Sequence, residues 1–253
     1  MARRSPLRRL TNMGLTLVTI VLAGSGCSAA SAPSDTATRT SLPSPAAPYC
    51  GVITGQHRYI ASPPAPSAIL LLGTGPRGIV LGAQANGGIC QILPIAQQLA
   101  RRGYHVAAFD WNDENNDYAA DMTRATHALL ADGARRVVLG GFSRGALVAL
   151  GVASALGPRI VGVISVSGGP SPSEGFPTIG SLITFRGPVL LVSSHDDPVF
   201  PPGTIAAIAA AHRGPDTLVV VPGTEQALEL LDGPYSHRIN RAIDAFLAAQ
   251  LGN

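Results

Sequence analysis

The sequence lacks the short motifs that mark metal and nucleotide sites. It contains no C-x-x-C pair, no H-E-x-x-H motif and no G-x-x-x-x-G-K-[ST] loop, and arginine supplies all 18 of its basic side chains because lysine is absent. The arginines form no basic patch with interleaved aromatic residues, so nucleic acid is not an expected partner. We therefore expect a protein without a metal ion or a cofactor.

Long apolar runs are also missing, and this bears on the N-terminus. Arg3, Arg4, Arg8 and Arg9 precede an apolar run of about a dozen residues, whereas a membrane-spanning helix needs roughly twenty. Basic residues, a short apolar run and then small residues are the layout of a secretory signal, here residues 1–26. Its removal leaves 14 arginines against 15 acidic residues, so the basic isoelectric point of 9.0 belongs to the signal.

The signal ends at a cysteine. The stretch LAGSGCS resembles the lipobox of bacterial lipoproteins, which implies that Cys27 carries lipid and anchors the exported protein to the outer face of a membrane. A secreted protein that is cut at a nearby small residue is the alternative. Residues 27–49 are rich in serine, alanine and proline, and we expect them to form a disordered tether. The remaining cysteines, Cys50 and Cys90, are then predicted to pair in a disulfide.

Residues 50–253 alternate short apolar runs with longer amphipathic or alanine-rich segments. Runs that are apolar throughout suit strands covered on both faces, as in a parallel sheet. Alternation with helices predicts one α/β domain built on a doubly wound, mostly parallel sheet. The predicted strands lie at residues 68–72, 105–109, 137–139, 160–166, 188–193 and 217–221.

Three candidate catalytic residues follow predicted strands. Ser143 lies between Gly141 and Gly145 where a strand gives way to a helix, the context that a nucleophile elbow requires. Asp197 follows the fifth predicted strand and is preferred to Asp196 because the sequence D-P-V-F-P resembles the turns that follow the acid in hydrolases. His237 is the only one of six histidines that follows the last predicted strand. The three occur in the order serine, acid, histidine.

These features resemble the α/β-hydrolase superfamily from about residue 58 to the C-terminus. The resemblance implies an oxyanion hole made by the main-chain N–H of Arg144 and by a loop after strand AILLL, where Gly73, Thr74, Gly75 and Pro76 stand in place of the usual His-Gly. Because proline has no N–H, Thr74 or Gly75 is the expected second donor. The Arg144 side chain is expected either to point into solvent or to meet a carboxylate of the protein or the substrate.

The resemblance also implies a function. The short segment between strands ISVSGG and PVLLVS leaves little room for a helical cap, so a capless, dienelactone-hydrolase-like arrangement is the nearest analogue. We expect a serine hydrolase that cleaves a carboxylic ester through an acyl-enzyme on Ser143, with no cofactor. The alternatives are an acyltransferase with the same triad and a non-catalytic binding lipoprotein. The sequence names neither the acyl group nor the oligomeric state.

Overall fold

The computed structural model describes residues 50, 52–61 and 68–252, which build an eight-stranded sheet. The predicted signal, Cys27 and the whole of the tether lie outside the described residues. The strands are β1 (His57–Ala61), β2 (Ala68–Leu72), β3 (Arg77–Gly82), β4 (His105–Phe109), β5 (Arg136–Phe142), β6 (Ile160–Val166), β7 (Val189–Ser194) and β8 (Asp216–Val221).

The sheet is parallel except at one edge. Its strand order is β1-β2-β4-β3-β5-β6-β7-β8. Strands β3 to β8 run parallel to one another, and β2 is antiparallel to both β1 and β4. All six predicted strands are present. The carboxyl ends of the parallel strands therefore meet along one edge of the sheet, where ligands gather in open α/β folds.

Helices cover both faces of the sheet, as a doubly wound arrangement requires. They are α1 (Ile89–Arg101), α2 (Tyr118–Ala131), α3 (Arg144–Val152), α4 (Ile179–Leu182), α5 (Thr204–Ala211), α6 (Glu229–Asp232) and α7 (Ser236–Leu251). Helices α1 and α7 pack in one apolar layer, and α2, α3 and α5 pack in the other. The side chains of successive strand residues pack in opposite layers, as those of Val138 and Leu139 in β5 do.

Strand β3 was not predicted, and its omission makes the predicted oxyanion loop wrong. Residues 73–76 connect β2 to β3, and β2 runs against the parallel strands, so this turn lies at their amino-terminal edge. His105, the first residue of β4, has its Nδ1 3.3 Å from the carbonyl oxygen of Gly75. Thr74 and Gly75 are therefore at the edge of the sheet opposite to the end of β5, and they cannot serve a serine at position 143.

Two further expectations can be compared with the structure. The Cys50–Cys90 disulfide is formed, with Cα atoms 4.8 Å apart and a sequence separation of 40 residues. Between β6 and β7 the described chain contains only a 3₁₀ turn, Pro172–Glu174, and the four-residue α4, so no helical cap is inserted there. In the part of the chain that is described, none of the helices has the length and apolar character to span a bilayer.

Candidate active site

The turn between β5 and α3 holds Ser143 in a strained conformation. Its φ of 50° and ψ of −109° are unfavourable for a residue with a side chain. The two flanking glycines permit this turn because a Cβ on Gly141 would lie on the main chain of Gly145, and one on Gly145 would lie on the main chain of Gly82. The predicted strand–turn–helix context of a nucleophile elbow is therefore present.

The loop after β3 lies beside this turn. The N–H of Gly145 donates to the carbonyl oxygen of Ala83 at 3.0 Å, and Ala85 lines the same cavity of about 350 Å³ as Ser143. The N–H of Gln84 is already donated to Oε1 of Gln91, at 3.2 Å. This loop, which sequence reasoning missed, takes the place beside the serine that was predicted for Thr74 and Gly75.

The side chain of Arg144 is buried and held by two carboxylates. Its Nη1 donates to Oδ1 of Asp113 at 2.9 Å, and its Nε lies 2.7 Å from Oε2 of Glu174. The guanidinium stacks on Tyr118, 3.9 Å from the ring centroid. Of the predicted alternatives, contact with protein carboxylates is confirmed. Burial raises the pKa of Tyr118, and the charge of Arg144 lowers it in part.

The two candidate acids differ in exposure. Asp197 is only 7% exposed, and its Oδ1 accepts the N–H groups of Val199 and Phe200 at 2.8 and 3.2 Å. Asp196 has a side chain that is 59% exposed and pairs with Nδ1 of His195 at 2.8 Å. Asp197 lines a cavity that shares Phe200 with the cavity of Ser143. The geometry thus favours the preferred carboxylate, which lies in the cavity adjoining that of the serine.

His237 is not brought into contact with either residue. It lies exposed in the first turn of α7. The other end of α7 is near the start of β5, because Nε of Arg136 donates to the carbonyl oxygen of Gln250 at 3.2 Å. His237 is therefore at the same edge of the sheet as Ser143. Within the described residues, no hydrogen bond or ion pair links it to Ser143 or Asp197.

The loop between β8 and α6 packs against the strand that carries Asp197. The N–H of Asp196 donates to Gly223, Oγ of Ser194 donates to the carbonyl oxygen of Glu225, and the N–H of Ala227 donates to Oγ of Ser167. Gln226 Nε2 is buried there, and none of the described residues gives it a hydrogen-bond partner. This buried amide was also missed, because nothing in the local sequence marks it.

The described residues contain no group of three or more histidine, cysteine or acidic side chains arranged to hold a metal ion. The acidic loop at residues 111–117 instead provides internal contacts, since Asp113 binds Arg144 and Asp117 caps α2.

Several known proteins are similar to this chain. A thermophilic esterase from the Planctomycetes species Thermogutta terrifontis has a TM-score of 0.63 at 15% identity, over 77% of this chain and 92% of its own. A dienelactone hydrolase from Anabaena variabilis has a TM-score of 0.59 at 18% identity, over 78% of this chain and 98% of its own. A dienelactone-hydrolase-like promiscuous phosphotriesterase from metagenomic libraries has a TM-score of 0.60 at 16% identity, over 78% of this chain and 99% of its own.

Sequence comparison gives a narrower match. No curated protein matches the chain. Residues 118–214, which include Ser143 and Asp197, match the phospholipase/carboxylesterase family of hydrolases. The sheet order, the elbow and the structural relatives agree with this match. The chain therefore has the α/β-hydrolase fold, and residues 118–214 are similar to the phospholipases and carboxylesterases.

Proposed function

We propose that this protein hydrolyses carboxylic esters through an acyl-enzyme on Ser143. The observation that carries the proposal is the strained turn that presents this serine immediately before α3, beside an open cavity. A backbone conformation of this kind costs on the order of 1–3 kcal/mol, and such strain is concentrated at functional sites. The esterases and hydrolases among the structural relatives support the same reaction class.

The oxyanion of the tetrahedral intermediate would be bound by two main-chain N–H groups. Arg144 supplies one from the start of α3, where the helix dipole also favours negative charge. Ala85 supplies the other, because it lines the cavity of Ser143 and the neighbouring N–H of Gln84 is already engaged. Two donors fixed by the fold stabilise charge that develops only during the reaction.

The acid is Asp197, and the base is a histidine that must reach both it and the serine. His237, the histidine predicted for this role, lies at the correct edge of the sheet, and the first turn of α7 would have to move for its ring to enter the site. His195 is the other candidate because it lines the cavity of Asp197. The histidine would take the proton of Ser143 during attack and return it to the leaving alcohol.

The second half of the reaction repeats this chemistry with water. The same histidine would deprotonate a water molecule, which attacks the acyl carbon and releases the acid. Asp197 would stabilise the imidazolium that forms in each half. The open cleft without a helical cap gives water direct access to the acyl-enzyme, which favours hydrolysis over transfer to a second alcohol.

The lining of the cleft indicates the substrate class. Leu147, Val199 and Phe200 line the cavity of Ser143, with three prolines beside them. The charge of Arg144 is neutralised by Glu174 and Asp113 and is not available to an anionic substrate. We therefore expect neutral esters with an apolar acyl group to be the preferred substrates.

A panel of p-nitrophenyl esters tests the proposal. Wild-type protein should hydrolyse neutral acyl esters with a higher kcat/KM than an ester that carries a carboxylate in its acyl group. Ser143→Ala should abolish the activity, whereas Ser171→Ala, which alters another serine of the same cavity, should retain it. Equal hydrolysis by wild-type protein and Ser143→Ala would overturn the assignment.

We also propose that the protein is exported and held at a membrane by lipid on Cys27. The Cys50–Cys90 disulfide supports export, because disulfides persist in oxidising compartments. Metabolic labelling with a fatty acid should mark the wild-type protein and not Cys27→Ser. A wild-type protein recovered without lipid from the culture medium would favour the secreted alternative.

A further inference from the structure

The molecule contains a second cavity, which lies on the face of the sheet opposite to α3. Its volume is about 160 Å³, and it lies between α1 and α7 over the central strands. The side chains that form its floor and walls all belong to the apolar layer of α1 and α7: Ile79, Leu81, Leu99, Ile164, Val166 and Leu247. Ser143 and Asp197 do not line it.

A glycine in β5 opens this cavity. Val138, Gly140 and Phe142 share one face of the strand, and only Gly140 lacks a side chain. A Cβ on Gly140 would lie 3.4 Å from Cδ2 of Leu81 and 3.8 Å from Cβ of Ile164, which are ordinary van der Waals distances. Gly141 differs, because a Cβ there would overlap the main chain of Gly145 in α3 and only glycine fits at that position.

A void of this kind weakens the fold when it is empty. The atoms that line it lack contact partners on one side, and no backbone requirement explains the missing side chain, since Gly140 does not have a positive φ. A ligand that fills the space would restore those contacts. The glycine therefore has a simple explanation if the cavity is a binding site.

The mouth of the cavity is polar and carries no net charge. Nη1 of Arg102, which directly follows α1, and Oδ1 of Asp244 in α7 form an ion pair at 2.6 Å, so the two charges cancel. The side-chain amides of Gln98 and Asn240 complete the rim, and Asn240 makes only a long contact of 3.5 Å to the carbonyl oxygen of Leu231. A hydroxyl or carbonyl group could hydrogen-bond to these amides, whereas a carboxylate would have to displace Asp244 from Arg102.

We infer that this cavity is a binding site for a small neutral molecule with an apolar body and one hydrogen-bonding group. An apolar cavity of similar volume elsewhere is known to take benzene, which sets the size of the body at about one aromatic ring. The apolar walls bind the ring, and the amides of Gln98 and Asn240 bind its polar group. Phe142 lines the cavity and directly precedes Ser143, so the occupant packs against the strand that leads to the elbow.

The probe that tests the site is 4-fluorobenzyl alcohol, followed by methyl resonances in ¹H–¹³C NMR spectra of the purified protein. Binding in this cavity should shift the methyl signals of Ile79, Ile164 and Leu247. It should leave the signals of Leu147 and Val199, which line the cavity of Ser143, in place. Shifts confined to Leu147 and Val199, or no shifts at millimolar probe, would overturn the inference.

Substitutions at Gly140 that place a side chain in the cavity test the site most directly. Gly140→Val should weaken binding of the probe at least tenfold. Gly140→Ala, which adds one methyl group at ordinary van der Waals distances from Leu81 and Ile164, should weaken it less. Gly140→Ala should also raise the denaturant midpoint, because it fills a void without a clash. If Gly140→Val does not fold, the alanine variant decides the question, and unchanged affinity in a folded variant contradicts the site.

The polar rim is tested by comparing two probes. Asn240→Leu should weaken the binding of 4-fluorobenzyl alcohol several-fold and leave the binding of 4-fluorotoluene unchanged, because the second probe lacks the hydroxyl group. Equal effects on both probes would remove the hydrogen-bonding part of the inference. None of these measurements uses the reaction at Ser143, so the outcome is independent of the proposed esterase activity.

Discussion

The N–H of Gly145 donates to the carbonyl oxygen of Ala83 at 3.0 Å, which joins the helix after the elbow to the loop after β3. This contact fixes the relative position of the two segments that would form the oxyanion hole. It also explains why Gly145 has no side chain, since a Cβ there would lie on the main chain of Gly82. The loop and the serine are therefore parts of one rigid unit.

Removal of the N–H of Ala85 should reduce catalysis without loss of the fold. We expect Ala85→Pro to lower kcat for a neutral p-nitrophenyl ester by about 10²–10³-fold, the usual effect of losing one oxyanion donor. Thr74→Pro is the matched control, because Thr74 lies at the opposite edge of the sheet. Circular dichroism establishes that both variants fold. A large loss in Thr74→Pro and none in Ala85→Pro would restore the oxyanion loop first predicted from the sequence.

The two neighbouring aspartates should differ in their effect on activity. Asp197 is buried against the cavity of the site, whereas Asp196 points into solvent. Asp197→Asn should therefore lower kcat by up to about 10⁴-fold, as loss of a triad acid does elsewhere. Asp196→Asn should remain within about threefold of wild type, with steady-state kinetics as the measurement. A greater loss in Asp196→Asn contradicts the assignment of the acid.

The base is tested by paired histidine variants. His237→Ala should abolish hydrolysis if the first turn of α7 moves into the site, and His195→Ala should then keep most of the activity. Loss of activity in His195→Ala together with full activity in His237→Ala would transfer the role to His195.

The elbow turn at Ser143 and the turn that begins at Asp197 could be predicted from the sequence, because each is marked by its immediate neighbours. Strand β3 could not, because Arg77 and the glycines at 78 and 82 interrupt its apolar pattern. Because β3 was missed, the oxyanion loop was assigned to the residues after β2 and not to those after β3. The ion pair between Arg144 and Glu174 joins residues 30 positions apart and depends on tertiary packing. Chain order placed His237 at the right edge of the sheet but could not determine the direction of its side chain.

The stability of the protein should depend on pH through Asp110. Burial raises the pKa of this carboxyl group above its usual 3.8, although its Oδ1 accepts the N–H of Ile89 at 2.8 Å. Because the folded pKa is higher than the unfolded one, the contribution of Asp110 to stability is complete at low pH and is lost as pH rises through the folded pKa. Asp110→Asn removes this dependence and leaves the oxygen that accepts the hydrogen bond.

Urea unfolding of both proteins between pH 3 and pH 7 measures this effect. The difference in the free energy of unfolding between Asp110→Asn and wild type should move in favour of the variant as pH rises. Asp121, whose pKa burial also raises, is present in both proteins and cancels in the difference. A difference that stays constant, or that moves in favour of wild type, would contradict the burial of a charged Asp110.

The central claim is that Ser143 is an activated nucleophile, and labelling with a fluorophosphonate tests it most directly. Intact mass spectrometry of the folded wild-type protein should show a single adduct, and Ser143→Ala should show none. That result would establish that the elbow, the base and the oxyanion hole are assembled in solution. A folded wild-type protein that remains unlabelled would contradict the account and leave a hydrolase fold that serves only to bind.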